Sequence, residues 1–302
     1  TRLAVLVHSD PTGVVGPVRS VRSSDVGIVA PADGVLVASG GAPEAVADLT
    51  AAGIEMRFDG TAGFSRDPAR PPGKQFLAHR MKAALKLRRA LYPPGYFRLL
   101  FGESDGVPGL IADCFGDYVV LQTGTAAMEK LKGEIVDAVT DVLQPAGILW
   151  RNDSGARDME TLDRYVEVAS GSVPDLVPVL ENGLEFLAPL HDGQKTGWFF
   201  DQRDNRRRFT RYPAKRMLDV FCYTGAWGLG AAMRGASATF VDASAQALHR
   251  VESEGRRLGL PTETLQGNAF EVLRSLRDHH RQFDIVVVDP PAFIKRRKDY
   301  RQ

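Results

Sequence analysis

Hydrophobic residues in the second half of the chain fall in short runs that are bounded by glycines or acids. The runs at 217–222, 238–241 and 283–289 are nearly continuous, and a further short candidate strand stands at 262–267. Nearly continuous apolar runs are typical of parallel strands that are buried on both faces. Between the first two runs, a glycine-containing turn at 224–228 leads into a predicted helix at 227–233. The pattern predicts an α/β domain with a parallel sheet.

The first half of the chain has a different pattern. Apolar residues recur at helical spacing over 74–91 and 126–143, which predicts two amphipathic helices. Strands are predicted at 96–101, at 110–122 with a break at 116–117, and at 147–151. A hairpin is predicted at 177–187, because Asn182-Gly183 favours a type I′ turn. We therefore expect a central α+β domain over 66–178 and a Rossmann-like domain over 179–302.

Residues 1–65 predict a small β-rich domain. Strands at 26–30 and 35–38 flank a turn at 31–34, a short helix is predicted at 43–53, and 54–58 alternates as a strand. This segment contains no combination of residues that is typical of catalysis.

Composition excludes several classes of protein. The chain has 302 residues, 44% of them hydrophobic and 25% charged, and a formal net charge of +1. Its two cysteines, Cys114 and Cys222, are far apart and match no metal-ligand spacing, so we expect neither disulfides nor a metal site. No apolar run approaches the roughly 20 residues of a membrane span. These features predict a cytoplasmic protein.

Two tracts of the chain are strongly basic. No acid follows Asp67 in residues 66–102, and seven of the fourteen residues over 203–216 are Lys or Arg. One-sign surfaces suit a phosphate backbone, whereas a solvated helix normally mixes charges for i,i+4 pairing. The alternative is an ordinary solvated basic face. The candidate RNA-binding residues in these tracts are Arg80, Arg88, Arg89, Arg203 and Arg206, and Lys195 joins them from the aromatic segment that precedes the second tract.

The turn after the first strand is a candidate ligand site. Gly225 allows the backbone to approach a ligand closely, and Asp242 ends the next strand at the position that holds ribose hydroxyls in such folds. The glycines do not match a dinucleotide fingerprint, and Asp219 would repel phosphates while attracting an amine. S-adenosylmethionine has a ribose, an amine and a carboxylate, and it fits. A Rossmann-like unit without a ligand is the alternative.

Two further strand ends carry candidate residues. Asn268 and Phe270 follow the third strand and are placed to hydrogen-bond and stack on an adenine. The run Asp289-Pro290-Pro291-Ala292-Phe293 follows the fourth strand. Its prolines fix the backbone and remove two donors, so the freed carbonyls and the ring of Phe293 can meet a flat base. A rigid exit from the strand is the alternative.

Five segments together resemble the bacterial class I 23S rRNA cytosine-5 methyltransferases. They are GESDGVPGLIADCFGDYVVLQ, WRNDSGARDMETL, ENGLEFLAPLHDGQKTGWFFDQRDNRRR, LDVFCYTGAWGL and VVVDPPAF. The resemblance covers about residues 70–297 and is most specific over 194–206. It implies a PUA domain, a central domain and a Rossmann-like methyltransferase domain, in that order, and it makes residues 1–65 PUA-like.

The resemblance also implies roles for individual residues. Phe221, Tyr223 and Gly225 are expected to surround the methionine end of S-adenosylmethionine, and Asp242 its ribose. Asn268 and Phe270 are expected at the adenine. Asp289, Pro290 and Phe293 are the expected catalytic residues, because they border both the cofactor and the target base. The implied partner is 23S ribosomal RNA, and a homodimer is possible.

Cytosine C5 methylation needs a thiolate that adds at C6. The resemblance implies that neither Cys114 nor Cys222 has this role and that the nucleophile follows Gln302. Only four strands of a seven-stranded methyltransferase sheet are predicted, so we expect the sequence to be C-terminally incomplete. Methylation of a base nitrogen, such as that of a guanine, and a non-catalytic role in RNA binding or assembly are the alternatives.

Overall fold

The computed structural model describes residues 3–6, 72–92 and 95–291, and residues 3–6 by their backbone alone. The predicted elements at 26–58 lie outside the described residues. The described chain divides into two compact units. Unit 1 contains residues 3–6, 181–186 and 201–291, and unit 2 contains 72–92, 95–180 and 187–200.

Unit 1 contains a five-stranded, fully parallel sheet. Its strands are β1 (Leu3–Leu6), β9 (Arg216–Val220), β10 (Ser237–Asp242), β11 (Thr262–Gln266) and β12 (Ile285–Val288). Their order across the sheet is β1-β12-β9-β10-β11. The predicted strands at 217–222, 238–241, 262–267 and 283–289 are confirmed within one or two residues at their ends. β10 and β12 flank β9 on opposite sides, so the strand order reverses there. Such a reversal opens a crevice at the carboxyl ends of the strands.

The helices of unit 1 are α4 (Arg203–Phe209), α5 (Ala226–Ala232), α6 (Ala245–Leu258) and α7 (Ala269–Asp278). Side-chain caps start the last two. Ser244 accepts a hydrogen bond from the backbone N–H of Ala247, and Asn268 accepts one from that of Phe270, at 3.2 and 2.9 Å. Each cap satisfies a donor that the first helical turn leaves open.

Glycine lets α5 pack tightly on the sheet. A Cβ atom at Gly228 would lie 2.3 Å from the ring of Phe240, a fully buried residue of β10. One at Gly225 would lie 2.9 Å from Val251 and 3.1 Å from the same ring. Both glycines are therefore required by packing behind the turn, which the interpretation as a ligand-contacting turn did not foresee.

Unit 2 is built on a five-stranded mixed sheet with the order β2-β3-β4-β5-β6. Its strands are β2 (Tyr96–Phe101), β3 (Leu110–Phe115), β4 (Tyr118–Thr123), β5 (Gly147–Asn152) and β6 (Tyr165–Gly171). Only the β4–β5 pair is parallel. The helices are α1 (Lys74–Leu91), α2 (Ala126–Lys130) and α3 (Lys132–Leu143). Leu77 and Met81 of α1 and Ile135 and Val139 of α3 join one fully buried core with the sheet.

The single helix predicted at 126–143 was wrong in one respect. Leu131 leaves the helical conformation with φ −91° and ψ 15°, which separates α2 from α3. Gly133 follows two residues later and weakens any helix through this point. β6 was not predicted, although Val166 and Val168 alternate with other residues in its sequence.

A hairpin of β7 (Leu176–Glu181) and β8 (Leu184–Pro189) joins the sequences of the two units. Its turn residues Asn182 and Gly183 have φ values of 54° and 79°. Positive φ at both central positions defines a type I′ turn, so this prediction is confirmed.

Candidate functional site

The loop after β9 has an unusual backbone. Phe221 and Tyr223 have φ values of 62° and 51°, and Gly225 has 77°. Left-handed backbone costs a non-glycine residue about 1–2 kcal/mol, and such residues cluster at ligand-binding positions. The first two residues thus hold a costly conformation directly at the carboxyl end of the central strand.

The Asp242 carboxylate ties this loop to the end of β10. One oxygen accepts the backbone N–H of Tyr223 at 3.0 Å, and the other accepts that of Ser244 at 2.9 Å. The side chain is half-buried. Two fixed hydrogen bonds orient the carboxylate, and its remaining lone pairs are available to hydroxyl donors.

Asp219 is a fully buried carboxylate at the penultimate position of β9. Its Oδ2 accepts the backbone N–H of Gly228 at 2.9 Å, whereas its Oδ1 has no hydrogen-bond partner. Burial, together with the nearby charges of Asp289 and Asp242, raises the pKa of Asp219 to about 7. An unpaired buried oxygen is costly unless a ligand supplies its partner.

Asp289 and Pro290 follow β12 directly. The backbone N–H of Asp289 donates to the carbonyl of Val220 at 3.3 Å, which continues the pairing of β12 with β9. Asp289 therefore lies at the strand-order reversal, beside the loop that begins at Phe221. Phe293 lies outside the described residues.

Asn268 and Phe270 stand at the carboxyl end of β11, one strand beyond β10. The Asn268 oxygen is used as the helix cap, so its amide nitrogen is the group left for a base. Phe270 is 58% exposed. A large exposed ring next to a polar cap is suited to stacking.

The crevice therefore combines acids with a strained loop. Asp219, Asp242 and Asp289 all lie at or near the carboxyl ends of adjacent strands, which disfavours phosphate and favours a ligand with a diol and a cation. The sequence identified the second and third of these as binding residues. It also gave Asp219 a place beside an amine, but it did not foresee that burial and the charges of the other two aspartates raise the Asp219 pKa.

Neither cysteine is activated. Burial is the main cause that raises the pKa of the Cys114 thiol and that of the Cys222 thiol, with neighbouring aspartates adding to it. Reactive cysteines instead have a lowered pKa and some exposure.

Two of the predicted RNA-binding arginines are buried in an ion pair. Arg206 donates to both oxygens of Glu181, and the second guanidinium, that of Arg203, lies 3.7 Å from the same carboxylate. All three residues are buried. The basic tract had suggested exposure, and the sequence analysis gave Glu181 no role.

The other predicted RNA-binding residues lie in unit 2. Arg88 donates to both oxygens of Asp105 at 2.8 and 2.7 Å and is mostly buried, whereas Arg89 is exposed. Arg80 lies over the ring of Phe76, 5.4 Å from its centroid. The Lys195 ammonium lies 4.2 Å from the centroid of Phe199.

Within residues 72–92 and 95–291, no group of three or more His, Cys, Asp or Glu side chains could hold a metal ion. None of the helices in the described part of the chain is long and apolar enough to cross a membrane.

The fold is that of S-adenosylmethionine-dependent methyltransferases. A Streptococcus mutans protein assigned to that class superposes with a TM-score of 0.66 at 24% identity, over 78% of this chain and 64% of its own. A second protein assigned as a methyltransferase, in complex with SAH (S-adenosylhomocysteine), gives 0.67 at 25% identity, over 80% and 64%.

Curated relatives are named ribosomal RNA large subunit methyltransferase I. The Shigella boydii protein is 35% identical over 238 residues, which are 76% of this chain and 60% of the relative. The Klebsiella pneumoniae protein is 38% identical over 210 residues, 66% of this chain and 51% of the relative. The chain thus spans between half and two thirds of these relatives.

Two family models match parts of the chain. Residues 198–298 match "Conserved hypothetical protein 95", and residues 1–89 match "Protein of unknown function (DUF3048) N-terminal domain". The PUA-like assignment of residues 1–65 stays a prediction.

Proposed function

We propose that this protein binds S-adenosylmethionine and methylates ribosomal RNA of the large subunit. The observation that carries the proposal is the unpaired oxygen of Asp219, near the end of the strand that leads into the strained loop of Phe221 and Tyr223. A buried acceptor without a donor, between two further carboxylates, favours a ligand that brings a positive charge.

Each carboxylate has a distinct part in this proposal. Asp242 holds the ribose hydroxyls, because its position is fixed by two backbone donors. Asp219 faces the amine of the methionine part of S-adenosylmethionine, and Phe221, Tyr223 and Gly225 surround that part of the cofactor. Asn268 and Phe270 meet the adenine, and Asp289 and Pro290 with Phe293 border the target base. S-adenosylmethionine supplies an electrophilic methyl group when it is bound.

The RNA substrate is proposed from the named relatives and from the basic tracts of the sequence. Formation of 5-methylcytosine needs a thiolate other than the buried Cys114 and Cys222. Methylation of a base nitrogen needs no thiolate, and it is the alternative reaction of the same site.

Calorimetry with S-adenosylmethionine and transfer of its labelled methyl group to 23S rRNA test the proposal. We expect saturable binding and incorporation into rRNA from cells that lack the gene. Absence of S-adenosylmethionine binding would contradict the enzymatic proposal. Binding of rRNA without binding of S-adenosylmethionine would favour a role as an assembly factor. Mapping the labelled nucleotide separates a cytosine carbon from a base nitrogen.

The cytoplasm is the compartment of its rRNA substrate. The domain boundaries at 65/66 and 178/179 and a possible homodimer remain predictions.

A further inference from the structure

The amino-terminal edge of the parallel sheet in unit 1 carries an open groove of about 1070 Å³. This edge is opposite the carboxyl edge that holds the three aspartates. Its floor is apolar, formed by Leu218, Leu276, Ile285 and Val286. An aromatic ring, Tyr212, stands at the rim and is 50% exposed. The groove belongs to none of the machinery assigned above.

The charged lining of this groove is predominantly basic. It comprises Lys215, Arg216, Arg277, His280, Arg281 and Asp284. Arg277 pairs with Asp278 and Arg281 with Glu263, at 2.9 and 2.7 Å. Neither Lys215 nor Arg216 forms a salt bridge within the residues that the structure describes, and both are exposed.

The one acid in the lining is already engaged. One oxygen of Asp284 accepts the backbone N–H groups of Lys215 and Arg216, each at 2.9 Å. These bonds lower the pKa of Asp284, so it stays ionised and offsets only part of the positive charge. Three further exposed cations precede Tyr212 in the chain: Arg207, Arg208 and Arg211.

A smaller cavity of about 140 Å³ adjoins the groove and shares Arg216, His280, Arg281 and Phe283 with it. The Arg281 guanidinium lies 5.6 Å from the centroid of the Phe283 ring. Cations along a groove, interleaved with aromatic rings, are the arrangement that holds single-stranded nucleic acid. The phosphates meet the cations, and the bases stack on the rings.

We propose that this amino-edge groove binds a single-stranded segment of RNA, at a surface separate from the candidate methyl-transfer site. Lys215 and Arg216 contact phosphates, and Tyr212 stacks on a base. The choice of RNA over an acidic polypeptide rests on the proposed function. The groove lets the enzyme hold its RNA at two points, one at each edge of the sheet.

Fluorescence anisotropy with a short labelled single-stranded RNA and its duplex form, without cofactor and over a salt series, tests the groove. Lys215→Gln with Arg216→Gln should weaken binding of the single strand about tenfold at low salt. It should also reduce the salt slope by about 1.4, since each single-strand phosphate contact contributes about 0.7. The matched control is Arg256→Glu, an equal change in charge on the exposed face of α6. It should leave the slope unchanged.

Two single variants sharpen the result. Tyr212→Ala should cost about fivefold or more on the single strand and nothing on the duplex, because only unpaired bases stack on a ring. Asp284→Asn keeps an oxygen for the two backbone donors but removes the charge, so it should raise RNA affinity.

An unchanged slope in the double variant, or an equal loss in the control, would overturn the proposal. So would equally tight binding of poly-L-glutamate. Since these titrations contain no S-adenosylmethionine, a failure of the methyltransferase proposal would appear separately, as absent cofactor binding by the wild type.

Discussion

Two carboxylates, one in each unit, are surrounded in opposite ways. Glu129 of unit 2 accepts hydrogen bonds from Thr123, Tyr165 and Arg157 at 2.7, 2.8 and 3.0 Å. Asp219 of unit 1 accepts one hydrogen bond and has an oxygen with no partner. Burial works to raise both pKa values. The hydrogen bonds reverse this for Glu129, whose pKa is lowered, whereas the pKa of Asp219 rises to about 7.

The difference separates a structural carboxylate from one that, in the proposed function, completes its hydrogen bonds with a ligand. A closed polar network stabilises the ionised form and fixes the packing around it. An incomplete one leaves free energy that only a binding partner can recover. The Glu129 network of unit 2 is therefore complete without a ligand, whereas Asp219 of unit 1 lacks one hydrogen-bond partner.

The largest effect is expected from Glu129→Gln. Its partner Arg157 is 1% exposed and would keep a buried positive charge without a counter-ion, which costs about 3 kcal/mol. Hydrogen exchange should show faster opening of β4 and β5. Glu167→Gln breaks the exposed pair with Lys132 and should cost less than about 0.5 kcal/mol. Equal losses would show that the Glu129 network is not closed.

Gly228→Ala tests the packing behind the incomplete site. The new Cβ atom would overlap the Phe240 ring at 2.3 Å, and overpacking of this kind costs about 3 kcal/mol. Gly230→Ala, on the same helix, meets only Leu184 at 3.8 Å. It should be neutral or stabilising by up to about 1 kcal/mol. Thermal denaturation of both variants measures the contrast, and similar melting temperatures would contradict this packing.

Asp242→Ala should weaken S-adenosylmethionine binding by about 2 kcal/mol, or roughly thirtyfold, through the loss of charge-assisted hydrogen bonds. Calorimetry measures it. Asp278→Ala removes an exposed carboxylate of the same unit that pairs with Arg277, and it should not change the affinity. An affinity that is unchanged by Asp242→Ala would exclude the ribose role.

Asp219→Asn tests the raised pKa. In the wild type the native state holds a proton that the unfolded state has lost above pH 4, so stability is present at low pH and falls as pH rises towards 7. Between pH 6 and 7 the loss is about 1 kcal/mol. Chemical denaturation of the ligand-free variant should show no such loss. Asp284→Asn should keep it, because the pKa of Asp284 is lowered by the backbone donors of Arg216 and Lys215 and lies below this window.

The smallest effects are expected from substitutions of Arg88 and Arg89, which should differ in whether they change RNA binding or stability. Arg89→Gln should reduce the salt slope of RNA binding by about 0.7 without loss of stability, if this exposed residue meets one phosphate of a single strand. Arg88→Gln breaks the pair with Asp105 and should cost about 1 kcal/mol of stability with no change in slope. A reduced salt slope for Arg88→Gln and an unchanged slope for Arg89→Gln would show that RNA contacts Arg88 rather than Arg89 on α1.

Most of the fold could be predicted from local sequence patterns. The runs that became β9, β10 and β12 are short and apolar, and Asn182-Gly183 has the sequence that its backbone angles require, so no distant contact was needed to predict them. Asp242 was found because its distance from the glycine turn is fixed by one β-α-β unit.

The errors arose where distant residues decide the outcome. Arg206 and Glu181 are 25 positions apart, so the sequence displayed a basic tract where the fold buries an ion pair. The strain at Phe221 and Tyr223 was not predictable either, because neither residue type favours positive φ.

The path of the chain has a practical consequence for protein engineering. Over residues 95–291, the chain passes from one unit to the other at 180/181, 186/187 and 200/201. A fragment cut out from residue 201 onward would lose the β-hairpin tip and, with Glu181, the counter-ion of Arg206. Expression of the Rossmann-like part alone should therefore yield an insoluble or protease-sensitive product, unless the excised segment begins upstream of the hairpin.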